Sequence, residues 1–133
     1  MKPYVILSAG SGNELELLKT RSLLLKRQGY VVASVNDLGT ALALFTHTDF
    51  RFDLLILSHT IEFADRNRLA GACKEATPQS RILVLVSRLD CDPLADACVD
   101  PMEGPEAFLK AVASLLKKSP QLERRSQPRK KMG

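Results

Sequence analysis

The chain has 133 residues, a length that suits one domain of ordinary size. Its hydrophobic fraction of 45% excludes a chain that is disordered throughout, and no apolar run approaches the length of a membrane-spanning helix. The net charge of +4 is unevenly distributed, because seven basic residues and one acid lie from Lys117 onward. Residues 1–116 therefore carry a net charge of −2, and the basic pI describes only the C-terminal segment.

Short apolar runs predict five strands, at residues 4–7, 30–35, 52–57, 81–86 and 97–99. Helical spacing of apolar residues predicts a helix after each of the first three strands and another after the fifth. Asn13 is a predicted cap of the first helix, Asn36 or Asp37 of the second, and Gly29 is the predicted end of the first. The third helix is expected at residues 62–76, and Pro105 fits the first turn of the last helix.

Strands that alternate with helices and are apolar on both faces indicate a parallel sheet covered on both sides. We therefore predict an α/β three-layer sandwich of about five strands. Only ten residues separate Val86 from Ala97, which is too few for the usual helical crossover between parallel strands. This segment holds one turn at most, so we expect a truncated fourth helix and a remodelled surface that binds a partner or forms a dimer. A truncation without functional consequence is the alternative.

The three cysteines, Cys73, Cys91 and Cys98, are odd in number and show no C-x-x-C spacing. This pattern predicts reduced thiols in an intracellular protein, packed as small apolar residues rather than reactive. The N-terminus carries too short an apolar run for a signal peptide, so a cytoplasmic location is expected.

Residues 119–133 contain two prolines, many charges and little apolar content. We predict a disordered basic tail behind a folded domain of residues 1–118. No helix-turn-helix or zinc-finger pattern accompanies the tail, so it supports nucleic-acid contact only through non-specific electrostatics.

Five segments of the chain resemble the receiver domain of bacterial two-component response regulators, over roughly residues 3–117. They are YVILSAG, LLLKRQGYVVASVNDLGTALALF, FDLLILSHT, RILVLVS and CVDPMEGPEAFLKAV. The resemblance implies a flavodoxin-like (CheY-like) sheet with strand order 2-1-3-4-5. It also implies a site at the C-terminal ends of the strands.

Receivers of this family use an acidic pair for Mg²⁺, a phosphoacceptor Asp, a Thr or Ser, and a Lys followed by Pro. The resemblance places the acidic pair at Ser8 and Ala9, the phosphoacceptor at Ser58 and the Lys at Asp100. The hydroxyl position falls at Ser87 and is retained. Mg²⁺ requires carboxylate oxygens and acyl-phosphate chemistry requires a carboxylate nucleophile, so the family's usual phosphorylation is not expected here.

Ser58 and His59 are adjacent, a hydroxyl beside an imidazole. Neighbours in a strand point to opposite faces, so we do not expect a catalytic dyad. Asp90, Asp92 and Asp100 follow the fourth and fifth strands and could bind a cation, but solvated loop acids are the favoured interpretation. We predict no catalytic residue, no metal and no cofactor.

The Gly10-Ser-Gly12 turn could contact an anion through backbone N–H groups, with Ser11 and Gly12 as candidates. It matches neither a P-loop nor a dinucleotide-binding motif, so a flexible turn into a helix is the favoured interpretation.

These features predict a stand-alone, phosphorylation-independent receiver-like protein that is not an enzyme and acts through protein association in signal transduction. Its partner would be a signalling kinase, a regulator or a second copy of the chain. The alternative function is binding of a small anionic ligand, such as a nucleotide, at the strand-end cleft. A third hypothesis is phosphorylation on a neighbouring residue.

Overall fold

The structure is a computed structural model that describes residues 3–12, 14–47 and 51–117. Strands and helices alternate along these ranges, in the order β1 (Val5–Ala9), α1 (Leu15–Arg27), β2 (Val31–Val35), α2 (Leu38–His47), β3 (Leu54–Ser58), α3 (Phe63–Ala76), β4 (Arg81–Leu85), β5 (Ala97–Cys98) and α4 (Pro105–Lys117). The predicted strands and helices are therefore present, with bounds that differ by a few residues. The predicted cap Asn13 and the predicted tail at 119–133 lie outside the described residues.

The five strands form one parallel sheet in the order β2-β1-β3-β4-β5, as the resemblance implied. Alternate side chains separate the core into two layers. Leu7, Leu55 and Ile82 face α2 and α3. Ile6 and Leu83 belong to the opposite layer, which packs against α1 and α4. The fold is thus the predicted three-layer α/β sandwich, and its strand ends form one edge.

Asp37 marks the start of α2, and Gly29 marks the end of α1. The Asp37 carboxylate accepts hydrogen bonds from Thr40 N (2.8 Å) and Thr40 Oγ1 (2.9 Å), so Asp37 caps α2. The backbone bond to Thr40 lowers the pKa of Asp37 below its ordinary value. Gly29 follows α1 with φ of +93°, a conformation that glycine adopts without a steric penalty.

The connection between β4 and β5, residues 87–96, is called the β4–β5 strap here. It contains one short 3-10 helix, Arg88–Asp90, in place of an α-helix. The helix expected between the fourth and fifth strands is therefore truncated to one 3-10 turn, as predicted. Leu94 and Ala95 pack against the core layer beside α3, so the strap itself covers the sheet where a helix is missing.

A buried ion pair anchors the β4–β5 strap to α3. Asp92 accepts from Arg66 Nε at 2.7 Å and from Arg66 Nη2 at 3.0 Å, while Arg66 Nη1 donates to the carbonyl of Ile61. The expectation of a solvated Asp92 is wrong, because the short strap must pass directly over the sheet and turns this carboxylate inward. Paired and fully hydrogen-bonded, the two charges can be held away from water.

Cys91 and Cys98 form a disulfide, with a Cα–Cα distance of 5.6 Å. The prediction of reduced thiols is wrong for these two residues, because the strap returns to the sheet edge and brings them within bridging distance. Cys73 is free and buried, and burial raises the pKa of its thiol. Disulfides persist mainly in oxidising compartments, so this disulfide does not support the predicted cytoplasmic location. The location stays a prediction. Within the described ranges, none of the helices has the length and apolar character needed to cross a bilayer.

The disulfide predicts a thiol count. Protein unfolded without reductant should present one reactive thiol, Cys73, to a colorimetric thiol reagent, and three after reduction. Reduction should also lower the free energy of unfolding by about 2–3 kcal/mol, since the bridge closes a short loop. Three reactive thiols before reduction would contradict the pairing, and a Cys73→Ser variant with none provides the control.

Candidate functional site

The positions implied by the resemblance meet at the C-terminal edge of the sheet. Ser8 and Ala9 end β1, Ser58 ends β3, Ser87 follows β4 and Asp100 follows β5. Ser8, Ala9 and Ser58 are buried. The edge is therefore assembled as in an open α/β sheet with a site at its strand ends.

A carboxylate from outside the expected positions lies in the centre of this edge. Glu14, immediately before α1, is buried, and Ser58 Oγ donates to it at 2.8 Å from Oε2 and 3.0 Å from Oε1. Ser58 Oγ in turn accepts from Thr60 N at 3.3 Å. The Ser58 hydroxyl thus has both a donor and an acceptor partner within the chain.

The turn after β1 fits closely around Glu14. Ser11 N lies 3.5 Å from Glu14 Oε2 and 3.4 Å from Thr60 Oγ1. A Cβ at Gly10 would lie 3.1 Å from Glu14 Cδ, so glycine leaves the space that the carboxyl group occupies. The turn therefore directs the N–H of Ser11 toward an anion of its own chain. Gly12 is less crowded, since a Cβ there would lie 3.8 Å from the carbonyl oxygen of Asn36.

Arg21 supplies the positive charge nearest to Glu14. Its Nη1 lies 3.5 Å from Glu14 Oε1, and both side chains are 7% exposed. Burial lowers the pKa of Arg21, and the charge of Glu14 opposes that shift. Nη1 makes no hydrogen bond with any described group, so the two residues attract each other as charges without a directed bond.

Two further positions of the edge, Ser87 and Asp100, stabilise local turns. Ser87 Oγ accepts from Leu89 N at 3.3 Å at the start of the strap's 3-10 helix. Asp100 accepts from Met102 N at 2.9 Å and forms a capping box with Glu103. Ser8 Oγ is buried without a hydrogen-bond partner among the described residues.

The site does not support a Ser–His dyad. His59 is exposed while Ser58 is buried, as expected for neighbours at a strand end. Ser58 Oγ donates to Glu14 instead. His59 is therefore not the partner of this hydroxyl, whose hydrogen bond goes to the Glu14 carboxylate.

The residues at this edge do not fit the Mg²⁺ ion that receivers bind. Mg²⁺ is held by carboxylates and waters, but the Glu14 carboxylate at this edge lies beside the cation Arg21, and the Asp100 carboxylate caps the 3-10 turn that follows it. Across residues 3–12, 14–47 and 51–117, no three His, Cys, Asp or Glu residues are grouped in a way that could hold a metal.

Glu14 and Arg21 are not among the residues that the sequence pattern singles out, because charged residues of an amphipathic helix are expected on its polar face. The buried residues of α1 are Leu18, Arg21 and Leu25, and Glu14 continues the same stripe by one turn. Spacings of four and three residues place all four on one face. The sequence therefore contains the spacing of the buried face. Leu15 fits an apolar stripe on a different face of the helix, but in the structure Leu15 is exposed.

Comparisons with known proteins were informative at the level of structure alone. No protein-family model matches the chain, and no curated protein matches it in sequence. Solved structures do match. A response regulator receiver protein from Sinorhizobium medicae superposes with a TM-score of 0.74 at 19% identity, over 87% of this chain and 96% of that one.

Two further structures extend the comparison. Adenylate cyclase from Rhodopirellula baltica matches with a TM-score of 0.77 at 15% identity, over 98% of this chain and 99% of that one. The response regulator TrrA of Thermotoga maritima, in complex with the histidine kinase ThkA, matches with a TM-score of 0.70 at 20% identity, over 85% and 98%. The chain has a receiver fold. At these identities the likeness concerns the fold and not the chemistry.

Removing the buried carboxylate tests its role. Glu14→Ala should lower the free energy of unfolding by about 2–4 kcal/mol, because Ser58 loses its acceptor and Arg21 becomes an unpaired buried charge. Glu14→Gln, which keeps an acceptor but removes the charge, should fall between wild type and Glu14→Ala. Chemical denaturation monitored by circular dichroism measures both.

Glu16→Ala is the matched control, since Glu16 lies two residues away and its side chain is 93% exposed. This control should leave the free energy of unfolding nearly unchanged. Equal losses in the Glu14 and Glu16 variants would show that the buried network contributes no specific stability.

Proposed function

We propose that this protein is a receiver-like signalling module that acts through protein association and does not use the family's aspartyl phosphorylation. The observation that carries the proposal is the Glu14 carboxylate bound by Ser58 at the strand ends. This position is where the resemblance places the phosphoacceptor. A carboxylate there repels an anionic phosphoryl donor that approaches Ser58.

The charge pattern of the edge supports the same conclusion. A receiver needs carboxylates for its metal, a carboxylate nucleophile and a Lys to neutralise the phosphoryl group. Here serine stands at the nucleophile position, alanine and serine at the acidic pair and Asp100 at the Lys position. Asp100 adds an anion where the phosphoryl group would require a cation.

The surface near the truncated fourth helix is the proposed contact region. The 3-10 turns Arg88–Asp90 and Pro101–Glu103 present Leu89 and Met102, which are 95% and 90% exposed. An Arg88–Glu103 ion pair of 3.3 Å joins the two turns. Two large, exposed apolar side chains on turns joined by an ion pair are suited to entering a pocket of a protein partner.

A signalling kinase or other regulator is the proposed partner class, with self-association as an alternative. Thermotoga maritima TrrA, which shares the fold, is found bound to a histidine kinase. Since this chain keeps the scaffold while its site lacks the usual acids, a partner would recognise shape rather than phosphorylation state.

Binding of a nucleotide at the strand-end cleft has less support. Ser58 and Ser11 contact Glu14, and Ser87 accepts from the backbone of Leu89. A phosphate placed among these groups would face the Glu14 carboxylate directly.

The phosphorylation part of the proposal is tested by mass. Wild-type protein incubated with acetyl phosphate and Mg²⁺ should show no phosphoryl adduct by intact-mass spectrometry, because its nucleophile position is occupied by serine bonded to Glu14. A receiver that keeps the acidic pair and the Asp, treated in parallel, is the positive control. An adduct on the wild-type chain, mapped to Ser58 or to a neighbouring residue, would refute the proposal.

The association part is tested by paired surface variants. Leu89→Glu combined with Met102→Glu should abolish retention of a protein partner that co-purifies with wild type from its native cell. Leu15→Glu combined with Leu23→Glu, which alters two exposed leucines of α1, should retain it. Equal retention by both double variants would exclude the proposed surface, and sedimentation of the purified wild type reports self-association.

A further inference from the structure

A cavity of about 820 Å³ lies between α1 and the start of α4, beside the Glu14 network, with which it shares Arg21. Its walls include Leu24, Leu85, Val99 and Phe108, and Leu17 and Met102 also line it. Neither Ser58 nor Glu14 belongs to the lining. The volume is in the range that small-molecule sites in proteins occupy.

Arg21 also lines this apolar cavity and is its one Lys or Arg residue. The residue is buried, its Nη1 has no hydrogen-bond partner among the described groups, and Nη1 lies 3.5 Å from Glu14 Oε1. Glu14 meanwhile directs its oxygens toward Ser58. A buried N–H donor without an acceptor is costly, and the guanidinium carries further N–H groups that can donate to a second carboxylate.

We propose that this cavity binds a small molecule with an apolar or aromatic body and a single carboxylate. The body contacts the wall formed by Leu24, Val99 and Phe108, and the carboxylate accepts hydrogen bonds from Arg21. Paired hydrogen bonds from guanidinium to carboxylate are stronger than neutral ones, so Arg21 makes the cavity selective for the acid over its neutral analogue.

The other charges of the lining restrict the ligand to one negative group. Asp90, Asp100 and the imidazole of His59 also line the cavity. Two carboxylates against one guanidinium disfavour ligands with several negative charges, such as nucleoside triphosphates. The cavity shares Ser87 and Asp100 with the strand-end edge and Met102 with the proposed contact surface, but its binding of a monocarboxylate does not depend on the proposed function.

Two probes of equal shape test the proposal. In ¹⁵N-labelled protein, 1-naphthaleneacetate should shift the amide resonances of Arg21, Ser87 and Phe108 and leave Gly71, on the opposite side of the sheet, unchanged. The neutral 1-naphthaleneacetamide should bind at least about tenfold more weakly, since it lacks the charge that pairs with Arg21. ATP should bind more weakly than the acetate.

Variants then assign the selectivity and the site. Arg21→Met should remove the difference between the acetate and the amide while leaving weak binding of both. Thr20→Trp, at an exposed lining position, should block both probes without altering the core. Thr46→Trp is the matched control, because Thr46 is also exposed and, like Thr20, donates to the carbonyl four residues earlier in its helix.

Several outcomes would overturn the proposal. They are equal affinity of wild type for the acetate and the amide, no saturable binding of the acetate, shifts centred outside the cavity, or ATP binding more tightly than the acetate. If Arg21→Met does not fold, the Thr20→Trp and Thr46→Trp pair with both probes still decides, because loss of binding in both variants or in neither contradicts the assigned cavity.

Discussion

The hydrogen bond from Ser58 Oγ to the buried Glu14 carboxylate organises the strand-end edge of this protein. A carboxylate out of water requires partners, and the surrounding residues supply them: a hydroxyl, a long contact from the N–H of Ser11, and the nearby charge of Arg21. Gly10 follows from the same constraint, because a side chain there would press on the carboxyl group. One internal anion thus accounts for the glycine at position 10 and for the direction of the Ser11 N–H in the turn after β1.

The β4–β5 strap solves a different problem with the same kind of interaction. A connection of ten residues cannot carry a full helix over the sheet, yet the sheet face beside α3 must still be covered. The strap inserts Leu94 and Ala95 over that face, and the Arg66–Asp92 pair and the Cys91–Cys98 disulfide hold it there. Both anchors hold adjacent strap residues, Cys91 and Asp92, directly after the turn that presents Leu89.

Arg21 belongs both to the Glu14 network and to the lining of the cavity beside α4. It faces the Glu14 network on one side and an apolar cavity on the other, so its charge contributes to both environments. In a receiver fold, the equivalent edge responds to an added phosphoryl group. Here a carboxylate of the chain itself already lies beside Ser58, and we propose that signals enter through association or through the cavity beside α4.

The amino-acid sequence determined the alternation of strands and helices, the parallel five-stranded sheet, the missing fourth helix and the positions at the strand ends, because these depend on local patterns of apolar residues and on chain length. The tertiary structure alone decided three things: that Glu14 and Arg21 turn inward, that Asp92 is buried against Arg66, and that Cys91 meets Cys98. Glu14 and Asp92 are buried because partners distant in sequence, Ser58 and Arg66, lie beside them in the fold. Cys91 meets Cys98 because the strap folds back to the edge of the sheet. Charged residues are usually solvated, so a local pattern favours the exposed assignment. Only the three-dimensional placement of an opposite charge, a hydroxyl or a second sulfur reverses it.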